Sequence, residues 1–226
     1  MLNTKLVLIE GLPGAGKSTT TQRIGKTLEA AEFACHWFRE EDEPHPIPCL
    51  DFAIKDLQQN MMPLWTDFVD RAIQAPTVTI LDSRLWQNTA LYMYMSEISV
   101  EEIAQYHGEV CNVLTPLSPA LIYLDQDDAE AALRRLYTIR GEEWMEETLE
   151  ETTQYAWFRS RNINDFSGWV KFFEEWTEVA HGLYNDWPHT KIRILNSHEN
   201  WSKAYARMDQ FLGLDQTQSS RDQPEA

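Results

Sequence analysis

Basic residues are few in this chain: 19 Lys and Arg stand against 36 Asp and Glu, leaving a formal net charge of −17. Long-range repulsion of that size opposes nucleic acid and anionic membrane surfaces as partners. A small anion is still admissible, because a few local cations outweigh a field more than about one Debye length away, roughly 8 Å in physiological salt. Cysteine is sparse too. Cys35, Cys49 and Cys111 are odd in number and lack CxxC spacing, which argues for reduced thiols rather than a disulfide framework. The six histidines show no metal-ligand spacing, so no zinc site is expected. No run of 18 apolar residues occurs, and strand-like sequence begins within a few residues of Met1, leaving no room for a signal peptide. The expectation is a soluble, cytoplasmic protein without internal repeats.

Glycine is also thin, nine residues in all, yet three of the nine fall within residues 11–16. Residues 7–21 read VLIEGLPGAGKSTTT, and Gly11-x-x-x-x-Gly16-Lys17-Ser18 fits the Walker A pattern. With average residue usage, one chance match in a chain this long has a probability of roughly 1%. The flanks lower it further. Residues 6–9 form a short apolar run, as a strand buried on both faces should, and Ile24, Leu28 and Ala31 then repeat at helical spacing. Gly11, Gly14 and Gly16 let the backbone adopt positive φ and approach an anion closely. The loop amides then point inward at the positive end of a helix dipole. Lys17 can reach the β- and γ-phosphates of ATP, and the Ser18 hydroxyl is placed to ligate Mg²⁺. The expected nucleotide-binding set here is Gly11, Leu12, Pro13, Gly14, Ala15, Gly16, Lys17, Ser18 and Thr19.

Four further strands are expected at residues 33–38 (FACHWF), 77–81 (TVTIL), 120–124 (ALIYL) and 191–195 (KIRIL). Helical patterns lie between them, at residues 61–73 with Pro63 in the first turn, at 84–96, and at 100–113. Asp127-x-x-Glu130 opens a helix in the manner of a capping box, and Gly141 ends it. Alternating strands and helices imply an α/β fold with a parallel sheet, whose ligands lie beyond the strand C-termini. Residues 1–214 are expected to form one domain. Residues 141–188, too long for a loop, are expected to form a helical lid or insertion, and the polar residues 215–226 a disordered tail. Within the insertion Trp169, Phe172, Phe173, Trp176, Val179, Ala180 and Leu183 form a helical stripe, expected to be core, with base stacking as the alternative.

Other residues carry candidate chemistry. Asp82 follows the third strand, where a carboxylate organises Mg²⁺ through water or takes the acceptor hydroxyl proton; it would equally serve as a helix N-cap. Arg84 lies within one turn and would clamp an acceptor phosphate or the transferring group, or form a surface ion pair. Arg134, Arg135 and Arg140 cluster within seven positions of an acidic protein and suit charge stabilisation in phosphoryl transfer, unless Glu142 and Glu143 neutralise them. Arg159 and Arg161 are later candidates for the same role. The acidic run Glu40, Glu41, Asp42 and Glu43 is either a solvated loop or a reader of a hydroxylated or cationic acceptor.

These residues resemble the thymidylate-kinase-like branch of P-loop kinases, which includes nucleoside kinases. The stretch EGLPGAGKSTTTQ is similar to that family's opening strand, loop and helix, and LDSR to its Asp-Arg motif, although Ser83 separates Asp82 from Arg84. Asn88 and Tyr92 fall on the face of the family's acceptor-site residues. LIYLDQDDAEAALRRLYTIRG resembles the fourth strand and the Arg-bearing approach to the lid, and RILNSHENW the fifth strand and adenine-side loop, with Asn196 and Ser197 at the turn. The resemblance covers approximately residues 3–140 and 190–213. It implies a P-loop NTPase three-layer sandwich, five parallel strands in the order 2-3-1-4-5, and the Asp82 strand beside the loop strand. The loop after strand two reads Arg39-Glu40-Glu41 where the family has Arg-Glu-Pro, and the Trp-rich segment stands where the family has a short lid.

The function expected is an ATP-dependent phosphotransferase acting on a small hydroxylated or phosphorylated acceptor, with Mg²⁺ and no nucleic-acid or membrane partner; a homodimer is compatible with it. A nucleotide-dependent switch or regulatory ATPase is the alternative. The Asn/Thr-Lys-x-Asp signature of GTP recognition is absent, since the fifth-strand turn reads Asn196-Ser197-His198-Glu199.

Overall fold

A computed structural model describes residues 3–48 and 57–214. Cys49 and the tail at 215–226 lie outside the described residues. Five strands, β1 (Leu6–Gly11), β2 (Cys35–Phe38), β3 (Val78–Asp82), β4 (Ala120–Asp125) and β5 (Thr190–Leu195), form one sheet in the order β2-β3-β1-β4-β5. All four pairings are parallel, and Ile9 lies opposite both Asp82 of β3 and Ile122 of β4. The expected sheet order is therefore the observed one, with β3 directly beside β1.

Alternation along β1 explains the three layers. Leu6 and Leu8 face one core, packed by α2 (Leu57–Gln74), α4 (Val100–Leu114) and α8 (Phe166–Asp186). Val7 and Ile9 face the other, packed by α1 (Lys17–Ala30) and α9 (Trp201–Leu212). A strand at the centre of such a sheet has no wet face, which is why its sequence is almost continuously apolar. Residues 3–48 and 57–214 contain no helix long and apolar enough to cross a membrane.

Three local expectations need correction. Residues 84–96 are not one α-helix: a π-helical segment at Trp86–Ala90 leads into the short α3 (Leu91–Met95). The cap of α5 (Ala129–Arg140) is Asp128, whose side chain accepts the Ala131 amide at 2.7 Å, and not its neighbour Asp127. Pro63 lies seven residues into α2 rather than in its first turn. A proline there removes the bond to the Gln59 carbonyl, and Gln59 is exposed, so water can replace it. The segment at 141–188 is helical, as expected: α6 (Glu142–Thr152), α7 (Ala156–Ser160) and α8. Its aromatic stripe is core, with Trp169, Phe172, Phe173 and Trp176 all buried. The helix α6 is anchored too, by buried Met145 and by Trp144 edge-on to Trp169 at 6.1 Å.

Candidate active site

The glycine loop leaves β1 and enters α1 through Gly14 at φ 78° and Gly16 at φ 92°, both left-handed. The requirement at Gly11 is steric as well. A Cβ there would stand 2.4 Å from the Leu124 carbonyl of β4. Leu12 and Ala15 are buried, Pro13 and Ser18 half-buried, and Thr19 exposed. The Ala15 amide donates to the Leu12 carbonyl at 3.1 Å, and Lys17 Nζ spans the loop to the same oxygen at 3.0 Å. A parallel five-stranded sheet in this order, with such a loop leaving its central strand, decides the architecture. This is a P-loop, three-layer α/β fold.

No protein-family model matches the chain, and no curated protein matches its sequence significantly. Solved structures do. Deoxyadenosine kinase from M. mycoides with bound dCTP is similar over 91% of this chain and 97% of its own, at 17% identity and TM-score 0.47. The same kinase with bound dATP covers 84% and 90%, at 15% identity and TM-score 0.43. Thymidylate kinase from Candida albicans covers 93% of each chain, at 14% identity and TM-score 0.45.

The Walker lysine has acidic company. Asp82 is wholly buried at the end of β3; its Oδ1 accepts the Ser83 hydroxyl at 2.5 Å, and its Oδ2 has no hydrogen-bond partner. It does not cap the helix that follows, since Leu85 holds the cap position and no side chain caps there from within the segment. The amides at that entrance are taken by Glu10 of β1 instead. Glu10 Oε1 accepts from Leu85 at 2.7 Å and from Trp86 at 3.1 Å, while Oε2 is buried without a partner. Burial pushes the Glu10 carboxyl up to about 7, against the lowering pull of the Trp86 amide, Lys17 and the Leu85 amide, and with a further push from Asp82. Glu10 is the residue that sequence reading missed. The available signal was a carboxylate inside an otherwise apolar strand run.

Arg84 is buried and donates to the Glu40 carbonyl at 2.9 Å, tying the loop after β2 to the Asp82 element. Glu40 turns inward rather than joining a solvated acidic loop: its Oε2 accepts from Gln87 Nε2 at 2.9 Å. Burial raises the Glu40 carboxyl above its ordinary range, Lys17 and Arg84 oppose that, and Asp82 reinforces it. Arg39 is held outside by Asp42 at 2.9 Å and Glu41 at 3.4 Å. Asn88 donates to the Ser83 carbonyl at 2.9 Å, and Tyr92 packs on Tyr155 at 5.6 Å. Ser83 itself has φ 57°, a left-handed turn that accommodates the extra residue between Asp82 and Arg84.

The structure thus gathers Lys17, Asp82 and Arg84 with Glu10 and Glu40. It does not gather the α5 arginines with them. Arg134 pairs with Glu130 at 2.6 Å on an exposed face and lies over the Phe166 ring at 5.3 Å. Arg135 donates to Gln126 Oε1 at 2.9 Å and approaches His198 at 3.5 Å; Arg140 is exposed at the end of α5. Arg161 pairs with Glu97 at 2.6 Å, and Arg159 is exposed. Asn196, left-handed at φ 48°, accepts the Asp127 amide at 3.3 Å, and the next residue, Ser197, reaches the Ala15 carbonyl at 3.4 Å. Asp125, buried at the end of β4, is occupied by Arg193 and by His181 at 3.1 Å. A narrow crevice with room for about one water lies between the loop and α8, lined by Glu10, Leu12, Trp86, Gln87, Phe173 and Trp176 among others.

Proposed function

We propose that this chain is an ATP-dependent phosphotransferase that moves the γ-phosphoryl group to a small hydroxylated or phosphorylated acceptor. One observation carries the reading: two buried carboxylate oxygens without partners, Glu10 Oε2 and Asp82 Oδ2, beside the Walker lysine. An unpaired buried oxygen is costly, and it is retained where a ligand, metal or proton completes it. Of the two, Asp82 Oδ2 together with the Ser18 hydroxyl fits Mg²⁺, a hard cation that prefers oxygen ligands, and Glu10 Oε2 is left for a proton.

In this reading the amides of residues 11–19 seat the phosphates of ATP, and Asn196 borders the base side. Lys17 leaves the Leu12 carbonyl for the phosphate oxygens. Ser18 and Asp82 would hold Mg²⁺, which when bound neutralises charge on the phosphates. Glu10 takes the acceptor hydroxyl proton on Oε2, with a pKa near the operating pH suited to a general base. Arg84 orients the reacting groups from the β2 side. Arg134, Arg135 and Arg140 approach the phosphates only by movement of the helical insertion, which would then act as a lid. A screen of small alcohols, nucleosides and nucleotides, coupled to ADP release, tests the reading. A stimulated rate with some compounds is expected. The same slow hydrolysis with every compound would favour a switch or regulatory ATPase.

A further inference from the structure

We propose that the crevice between the glycine loop and α8 binds one water, and that Tyr123 is, through that water, a positioning residue for Glu10. The water site stands on geometry alone, while the role of Tyr123 rests on Glu10 as the base of a phosphotransferase.

Four buried atoms are the first ground. Glu10 Oε2, Gln87 Oε1, Trp86 Nε1 and the Tyr123 hydroxyl all lack hydrogen-bond partners, and all four residues line this crevice. Such atoms are costly unless something completes them. About 10 Å³ is open there to the centre of a water-sized sphere, space for one water and nothing larger. The wall formed by Leu91, Phe173, Trp176 and Ala180 is largely apolar.

The second ground is that donors and acceptors balance for water. An indole N–H only donates and a tyrosine hydroxyl can donate, so Trp86 and Tyr123 fill the two lone pairs of a water oxygen. Gln87 turns its Nε2 to the Glu40 carboxylate at 2.9 Å, which fixes Oε1 as an acceptor. Gln87 Oε1 and Glu10 Oε2 then take the two water hydrogens. A cation would repel both donors, and an anion both acceptors. Burial first, then the Asp125 charge, holds the Tyr123 hydroxyl above its ordinary range, so its proton stays in place.

Tyr123 differs from Trp86 in one respect: its hydroxyl can turn. When Oε2 carries a proton, Glu10 becomes a donor to the water and shares the two lone pairs with Trp86. The Tyr123 hydroxyl then rotates to accept a water hydrogen and gives its own toward Asp125, the acid beside it. Every hydrogen keeps a partner, and the only proton added is the one on Glu10. A phenylalanine at 123 could serve neither state.

The test begins with a crystal structure of the full chain, at a resolution that shows ordered waters. One water should lie within about 2.5–3.2 Å of Glu10 Oε2, the Tyr123 hydroxyl and at least one of Trp86 Nε1 and Gln87 Oε1. Anything less overturns the water site, and so does a direct bond between Glu10 and Tyr123. ADP release from MgATP tests the positioning role. Tyr123→Phe should lower kcat at least ~5-fold and leave the ATP KM within about twofold. Tyr184→Phe is the control, since that ring packs on Tyr123 at 5.6 Å but does not line the crevice, and both constants should hold. Unchanged kcat in folded Tyr123→Phe overturns the positioning role. If Glu10→Gln is then equally active, the base reading falls with it; if Glu10→Gln is impaired, that reading stands and Tyr123 alone is excluded. The wild-type structure decides the water site whether or not Tyr123→Phe folds.

Discussion

Glu10 Oε1 accepts the Leu85 amide at 2.7 Å across 75 positions of sequence. The bond fixes the entrance of the π-helical segment against the central strand and leaves the other carboxylate oxygen, Oε2, buried without a hydrogen-bond partner. One side chain thereby serves as a cap and as a candidate base. Its two oxygens separate the roles.

That division gives the first prediction. Because burial raises the Glu10 pKa from 4.5 to about 7, its contribution to stability is full below 4.5 and is lost as pH rises through about 7. Glu10→Gln keeps the acceptor for Leu85 and removes the charge. Urea melts of both proteins should show the variant gaining on the wild type by up to about 3 kcal/mol between pH 4.5 and 8. Catalysis should move oppositely: wild-type turnover rises as pH climbs through about 7, and the variant loses ~10²-fold or more at every pH. A variant with normal turnover would leave Glu10 as a cap alone.

Lys17→Ala removes a hydrogen bond to the Leu12 carbonyl and no apolar packing. Its melting temperature should stay close to that of the wild type. ADP release should fall by at least ~10²-fold, as for loss of a charge-assisted contact in the transition state. Retention of more than a tenth of the rate would remove the phosphoryl-transfer reading.

Asp82→Asn preserves shape and discards charge beside an oxygen that has no protein partner. It should reduce Mg²⁺-dependent kcat by about 10²-fold or more, with a smaller change in nucleotide affinity measured without Mg²⁺. A lowered melting temperature with unchanged kcat would assign the residue to structure.

Gly11→Ala brings a Cβ to within 2.4 Å of a strand carbonyl and forces a side chain onto φ 156°. Backbone strain of this kind should cost about 3 kcal/mol in a denaturant melt. Gly108→Ala, in α4 with no atom within 4 Å of the new Cβ, is the control and should stabilise by about 0.5–1 kcal/mol.

Hydrogen exchange addresses the insertion. α6 touches the body through few apolar residues, chiefly Met145 and Trp144, whereas α8 buries a full stripe. Binding of a non-hydrolysable ATP analogue should slow exchange around residues 134–150 and leave residues 169–184 nearly unchanged. Equal protection of both parts without ligand would mean a rigid insertion.

How far the sequence anticipated this site depended on the kind of signal. The strands 77–81 and 120–124 are apolar because both faces are covered, so composition located them within a residue or two. Sheet order came from the resemblance, since no local pattern encodes which strands pair. The phosphate loop was legible because glycine, lysine and serine must stand at fixed offsets. Glu10 was not, because its importance lies in its neighbours Lys17, Asp82 and Leu85, which only folding assembles. Arg134 looked like one of a cluster, but a helix sets it one turn from Glu130, and the pairing turns it to the surface. The adjacent acids Asp127 and Asp128 offered two caps, and side-chain geometry chose the second.

Trp201, at the start of α9, lies so close to Gly16 that a Cβ on the glycine would stand 2.4 Å from its ring. Four residues earlier, Ser197 bonds to Ala15. The wall on that side of the loop is thus contributed by the far end of the chain. On the ribosome, where synthesis runs from the N-terminus, residues 11–18 emerge long before this wall does, and they meet it only after residue 201 has followed. A nascent chain halted before β5 presents the loop with that flank bare to solvent.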